Sequence, residues 1–381
     1  YEAGKLYNVL PSGNRAPDNK GGAGYDQTRA DFDFDRGSNA AASRINSSGL
    51  IEKYRENLLL QSNAFSNAAW TKTASSIASN QTDPNGGTNA FKIVEDTSTN
   101  YHRIFGGYTM VSGSVYAISV TAKAAGRNYL TLSNNVSAGT SVFNLTNGSI
   151  ATQESNVIDA KTTDLGDGWY RCEMVALGDK SGSYNVFIGA DDDGTIGTYL
   201  GDGTSGVLIY QSQLETGLVA TEYLNSTSVT GKAGVLVDLP RINYDANGEN
   251  GALLLEPSRA NGNANSEYFS GTGFGIVAAT ATPNVTTSPE GVINATSLIG
   301  STSSAQHIIY TTGLSTYNGD TTISIFAKAN GYDYFVLGAG AQGTNKPVLF
   351  NIANGTKVGN FTGWHSYGAP IDSDIEDYGN G

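Results

Sequence analysis

Apolar and polar positions along the chain follow a two-residue rhythm. In residues 114–121, small or polar side chains are interleaved with Val115, Ala117, Ile118 and Val120; residues 322–327 repeat this with Ile323, Ile325 and Ala327. Residues 129–132 and 333–337 are aromatic and aliphatic runs bounded by glycine. Such segments set successive side chains on opposite faces of a strand. Between them lie turn formers at short spacing: Asn85-Gly86-Gly87, Asn147-Gly148, Gly166-Asp167-Gly168, Asp193-Gly194, Asn247-Gly248 and Asn354-Gly355. Helical periodicity is nowhere sustained, and residues 40–43 have room for one turn. Many short strands separated by turns predict an all-β chain of jelly-roll β-sandwiches.

The pattern occurs twice. Asn57, Ser62, Phe65, Ser66 and Trp70 match Asn261, Ser266, Phe269, Ser270 and Phe274, at an offset of 261 − 57 = 204. His102 matches His307, and Ser119-Val120-Thr121-Ala122-Lys123-Ala124 matches Ser324-Ile325-Phe326-Ala327-Lys328-Ala329, both at 307 − 102 = 205. Phe143-Asn144-Leu145-Thr146-Asn147-Gly148 matches Phe350-Asn351-Ile352-Ala353-Asn354-Gly355 at 350 − 143 = 207. A slowly drifting offset is expected of a duplicated unit whose loops gain residues while its strands keep register. The expected organisation is an extended attachment or wrapping segment at 1–56, a first sandwich at 57–225, a hairpin linker at 226–260 and a second sandwich at 261–381. The second copy ends at Asp377-Tyr378-Gly379-Asn380-Gly381, where the first continues from Asp164-Leu165-Gly166-Asp167-Gly168 into Trp169. The second sandwich is therefore expected to be truncated, its remaining strands lying in a longer chain.

Composition narrows the function classes. The 381 residues carry 22 Lys+Arg against 35 Asp+Glu, a net charge of −13, with 48 glycines and 15% charged residues. A helical bundle needs more Glu, Lys and Leu and less Gly. With no basic cluster, no nucleic-acid partner is expected. No apolar stretch approaches the ~20 residues of a membrane-spanning helix, so no membrane insertion is expected. Cys172, the single cysteine, reads as a small buried hydrophobe.

The order of short motifs is similar to a known family. Gly4-Lys5-Leu6-Tyr7, Asp31-Phe32 through Arg36, Arg44-Ile45-Asn46 and Gly49-Leu50-Ile51-Glu52 come first. Asn57-Leu58-Leu59-Leu60-Gln61-Ser62, Gln213-Leu214-Glu215-Thr216-Gly217, Ala220-Thr221-Glu222-Tyr223, Pro240-Arg241-Ile242-Asn243-Tyr244 and Leu253-Leu254-Leu255-Glu256-Pro257 follow. Over most of its length the chain resembles the fibre and receptor-binding proteins of tailed bacteriophages that carry tandem carbohydrate-binding-module-like jelly rolls. The resemblance implies a non-enzymatic virion protein, commonly a homotrimer, attached to other tail or head proteins and projecting toward host surface glycan. A bacterial secreted or surface glycan-binding or glycan-degrading protein built from the same modules, and a purely structural virion spacer, are the alternatives.

No catalytic residues are expected: no nucleophile elbow, HExxH or phosphate-cradling glycine loop is present. His102 and His307, kept in both copies, read as structural rings bonded to a neighbouring strand. Trp70 and Trp169 read as core. Asp31-Phe32-Asp33-Phe34-Asp35 opens like a calcium loop, but Arg36 and Ala42 stand where such a loop needs Gly and Glu, so a strand is expected. Asp191-Asp192-Asp193 before Gly194 is the best candidate for a Ca²⁺ cofactor, against the plainer reading of a solvated acidic turn. For glycan, the candidates are Phe361, Trp364, His365 and Tyr367. Their loop, from Gly355 to Asp377, spans 377 − 355 = 22 positions against 164 − 148 = 16 in the first copy. An aromatic cluster on extra loop length suits either sugar stacking or a subunit contact.

Overall fold

The computed structural model describes residues 42–134, 139–236, 239–255, 261–263, 265–271, 273–312, 322–338, 347–360 and 372–378. Residues 1–56 are thus described only from Ala42 onward, and Asp31 to Asp35 lie outside the described residues. Ser43 already opens a strand, not a helical turn. The described elements are strands and turns, an all-β fold.

Twelve strands build the two large sheets of the first repeat: β1 (Trp70–Thr73), β2 (Ser75–Gln81), β3 (Ala90–Glu95), β4 (Arg103–Met110), β5 (Val115–Ala125), β6 (Tyr129–Asn134), β7 (Thr140–Asn144), β8 (Ile150–Gln153), β9 (Val157–Gly166), β10 (Trp169–Leu177), β11 (Gly182–Asp191) and β12 (Gly206–Thr216). They form a front sheet ordered β8-β7-β6-β11-β4-β1 and a back sheet ordered β9-β10-β5-β12-β3-β2. Eight of the strands trace a jelly roll. Counting β3, β4, β5, β6, β7, β10, β11 and β12 as first to eighth, the antiparallel neighbours are first with eighth, second with seventh, third with sixth and fourth with fifth. β1 and β2 widen the sheets at one side, β8 and β9 at the other.

Alternation sets what each face carries. Ile104, Tyr108 and Met110 on β4, Leu130 and Leu132 on β6, and Val186 and Ile188 on β11 turn inward and pack with Ile118, Val120, Cys172, Met174 and Ile209 of the back sheet. Trp70 and Phe65 close one end, ring centroids 5.1 Å apart, with the Trp70 indole N–H donating to the Gln61 carbonyl. Gly106 faces that indole; a Cβ there would stand 3.2 Å from the ring. The outer face of the back sheet is covered: Val115, Ala117 and Val175 pack under Leu218 and Ala220, with Tyr268 against them. The outer face of the front sheet carries the opposite phase of β4, β6 and β11, and it is here that the open clefts lie.

Beyond residue 270 the strands reproduce the first repeat in pieces. Phe274–Val277 pairs with Ile308–Thr311 as β1 does with β4, and Ala279–Thr287 pairs with Ile293–Gly300 as β2 does with β3. Tyr334–Leu337, Val348–Asn351 and Thr356–Asn360 form a sheet matching β6, β7 and β8. Even the left-handed backbone recurs: Gln61, Ala74 and Asn80 have φ of 52°, 47° and 59°, and Asn265, Ala278 and Asn284 have 56°, 47° and 55°. Residues 322–327, expected as a strand, form none; Ile323, Ile325 and Phe326 are exposed. The matching segment β5 is hydrogen-bonded on both sides, by β10 and β12. Among the described residues neither of those strands has a counterpart, and there 322–327 has neither of the ladders that hold β5.

Before each repeat stands a hairpin beginning Arg-Ile-Asn. Ser43–Ile45 pairs with Ile51–Lys53, and Ile242–Asn243 pairs with Ala252–Leu253 around the expected Asn247-Gly248 turn. The hairpins hold each other: the Ile45 amide donates to Asn243 Oδ1 and the Tyr244 amide to the Ile45 carbonyl. Gly248, at φ +75°, passes so close to Ser47 that a Cβ would stand 2.2 Å from its carbonyl oxygen.

Candidate functional site

The sequence Tyr101-His102-Arg103-Ile104-Phe105 enters β4 in strict alternation. His102 and Ile104 are buried; Arg103 and Phe105 take the outward phase of the front sheet. Opposite them on β11, Phe187 and Asp191 share that phase, since Val186, Ile188 and Ala190 belong to the core side. β6 adds Thr131 and Ser133, and β7 adds Thr140, whose hydroxyl donates to Ser133 Oγ.

Tyr101, Arg103, Phe187 and Phe105 form a contiguous column. The Arg103 guanidinium carbon lies 4.0 Å from the Phe187 ring centroid and 4.6 Å from that of Tyr101, so the cation is held between two rings. Phe187 continues onto Phe105, centroid to centroid 5.1 Å. Burial pulls the guanidinium below its ordinary pKa, against the opposing influence of Tyr101. Beside the column is a cavity of about 140 Å³, lined by Tyr101, Arg103, Thr131, Ser133, Phe187 and Asp191 among others. That is several times the ~30 Å³ share of a water molecule. A second depression on the same face is lined by Gly107, Thr109, Ser183 and Asn185. Together they make a track along β4 and β11 with aromatic surface, a cation, hydroxyls and an amide. Rings for stacking and polar edges for hydroxyl groups are what sugar recognition requires.

The Asp191-Asp192-Asp193 cluster stands at the end of β11, with Asp191 lining the cavity. One carboxylate oxygen from each residue lies within 4.8 Å of the others. The solvated turn expected here is only half realised: Asp191 is buried, while Asp192 and Asp193 are exposed. Asp191 Oδ1 accepts the Gly194 and Asp193 amides, and Asp193 Oδ1 accepts the Thr195 amide and hydroxyl. Burial pushes the Asp191 carboxyl up to about 6; the Gly194 amide opposes this and the charge on Asp193 adds to it. The carboxylates thus fold the 192–198 loop, which supplies the Ile196 and Gly197 wall of the cavity.

Phe361, Trp364, His365 and Tyr367 lie outside the described residues. His102 and His307 make the same bond, ring Nδ1–H to the carbonyls of Ala74 and Ala278, each at 2.6 Å. Trp70 and Trp169 are buried, and Cys172 is fully buried, its thiol pushed up by that burial. The column of Tyr101, Arg103, Phe105 and Phe187 was not among the sequence candidates. Its signal is aromatic and cationic residues placed on the polar phase of a strand, and Phe187 joins it from 84 residues away (187 − 103 = 84).

No protein-family model matches the chain, and no curated protein matches it. Among solved structures, the CBM22-1–GH10 modules of the Clostridium thermocellum endo-1,4-β-D-xylanase 10B, complexed with xylohexaose, are 14% identical over 46% of this chain and 30% of that one, with a TM-score of 0.26. A structure titled "CBM4 structure and function" is 12% identical over 47% of this chain and 97% of that one, with a TM-score of 0.22. Both likenesses are distant. The jelly roll rests on the strand order.

Proposed function

We propose that the chain is a non-catalytic carbohydrate-binding protein whose first jelly roll receives a saccharide along β4 and β11 of its front sheet. The observation that carries this reading is the Tyr101–Arg103–Phe187–Phe105 column on the outer face of the front sheet, flanked by Thr131 and Ser133. The ordered motifs of the sequence support a more specific setting: a bacteriophage fibre, homotrimeric, joined to tail or head proteins and adhering to host surface glycan. Weak single sites would then gain from being displayed in several copies.

A glycan array probed with the 381-residue chain and its Phe187→Ala variant tests the binding site. Removing the ring takes away one stacking face and one support of Arg103, and a loss of about tenfold in affinity is expected. A wild-type chain that binds no saccharide, or a variant that binds as well as wild type, would overturn the reading. The virion setting is tested by gene neighbours: tail, portal and capsid genes agree with it, and polysaccharide-utilisation genes would place the protein among bacterial glycan binders.

A further inference from the structure

Arg103 differs from the other arginines of the sandwich. Arg127 is paired with Glu95 at 2.5 Å, and Arg171 lies 3.5 Å from Glu173. Arg103 has ring contacts only: its Nε is buried without a hydrogen-bond partner, and no carboxylate among the described residues pairs with it. Asp191, which lines the same cavity, spends Oδ1 on its own loop's amides. In a chain with 35 acidic and 22 basic residues, a half-buried guanidinium left unpaired at a cavity is conspicuous. Desolvated charge is costly unless a counter-charge or acceptors meet it.

The duplication separates fold from function at this position. The residue after the histidine is Arg103 in the first repeat and Ile308 in the second. The adjoining histidine bond is identical in both, and Ile308 opens a strand paired as β4 is with β1. The strand therefore forms equally well with an aliphatic residue, and nothing in its pairing demands a cation. Tyr101 and Phe187 both lie against the guanidinium, and with Nε buried its two terminal nitrogens are the route left for a partner. A guanidinium edge matches a planar carboxylate with two parallel hydrogen bonds.

We infer that the front-sheet site selects acidic saccharides, with the sugar carboxylate placed against Arg103 and a ring stacked along the Tyr101–Phe187–Phe105 surface. This rests on the carbohydrate-binding reading and specifies its ligand class. The hydroxyls of Thr131 and Ser133 serve the uncharged edge of the same sugar.

The test is calorimetric titration of the 381-residue chain with two carboxylated probes, oligogalacturonate and sialyllactose, and with the methyl ester of each. Wild type is expected to bind at least one acid about tenfold or more tighter than its ester, and to weaken several-fold between roughly 50 and 500 mM salt. Arg103→Gln is expected to bring that acid down to the ester's affinity, while Arg103→Lys keeps part of the preference. Equal binding of acid and ester, or an Arg103→Gln variant that still prefers the acid, would overturn the inference. If Phe187→Ala then abolishes that binding, the carbohydrate reading stands without it. A chain that binds neither acids, esters nor neutral glycans removes both. The acid–ester comparison needs no variant, so it decides the matter even if the Arg103 substitutions fail to fold.

Discussion

His102 and Arg103 are neighbours in sequence with opposite fates. The histidine bonds the strained Ala74 carbonyl, does so again as His307, and could be read from the duplication alone. The arginine is present in one copy only, and its role emerges only when Phe187 arrives from β11 to cover it. A single sequence carries local alternation, so it announces that Arg103 faces outward from a strand; it does not carry the partner strand that makes a column of it. Asp191 illustrates the same limit: its run of carboxylates was legible, its burial was not. That burial has a pH consequence. The folded carboxyl titrates at about 6 against an ordinary 3.8, so the uncharged form is the one the fold favours. The contribution to stability is complete below about pH 4 and is lost as pH rises through 6, with an upper bound of about 3 kcal/mol from two units at 1.36 kcal/mol each. Asp191→Asn keeps an acceptor for the Gly194 amide and removes the titration. Denaturant unfolding between pH 4 and 7 is expected to fall more steeply for wild type than for the variant; parallel curves would place the carboxyl at its ordinary value.

At the scale of strands, the alternation and turns were enough for most elements, because a half-buried strand writes its two faces into the sequence. Strand partners were not legible. Residues 322–327 have the pattern of β5 and still form no strand, since a central strand is held by its two neighbours and not by its own residues. The eight-strand jelly-roll path explains why this element suffers most: the third strand pairs with the sixth and eighth, and both lie late in the chain. The edge pairs β1–β4 and β2–β3 and the β6–β7–β8 meander close early, and these recur in the second repeat. Amide exchange should therefore divide along that line. In the 381-residue chain, amides of Val115–Ala125 are expected to be protected to near the global stability, and those of residues 322–327 to exchange close to the rate of an unstructured peptide. Comparable protection in both segments, read by mass spectrometry, would mean that 322–327 has found partners.

At the scale of the whole molecule, the two faces of the first sandwich have different fates. The outer face of the back sheet receives the second repeat: Tyr268 packs on the Val115, Ala117 and Val175 patch, and Asn284 Nδ2 donates to Asp159 Oδ2 and to the Leu218 carbonyl. The leading hairpin adds Lys53, bridged to Glu267 and Glu290 at 2.5 and 2.7 Å. Burial opposes the charge on Lys53, but the two carboxylates outweigh it and hold the ammonium above its ordinary pKa. Among the described residues the front face, with the Arg103 column, takes no part in this joint. Loosening the joint should therefore free the second repeat without touching the binding track. Tyr268→Ala removes an aromatic contact from the patch, and Asn284→Gly keeps the left-handed backbone while deleting both side-chain hydrogen bonds. Together they are expected to cost about 2–4 kcal/mol at the joint. Amide exchange within Ala279–Thr287 and Ile293–Gly300 should rise at least tenfold while β4, β6 and β11 stay protected and saccharide affinity stays within about twofold of wild type. An equal loss of protection across the front sheet, or a matching drop in saccharide affinity, would mean that the two faces are coupled through the core and that the joint helps to shape the site.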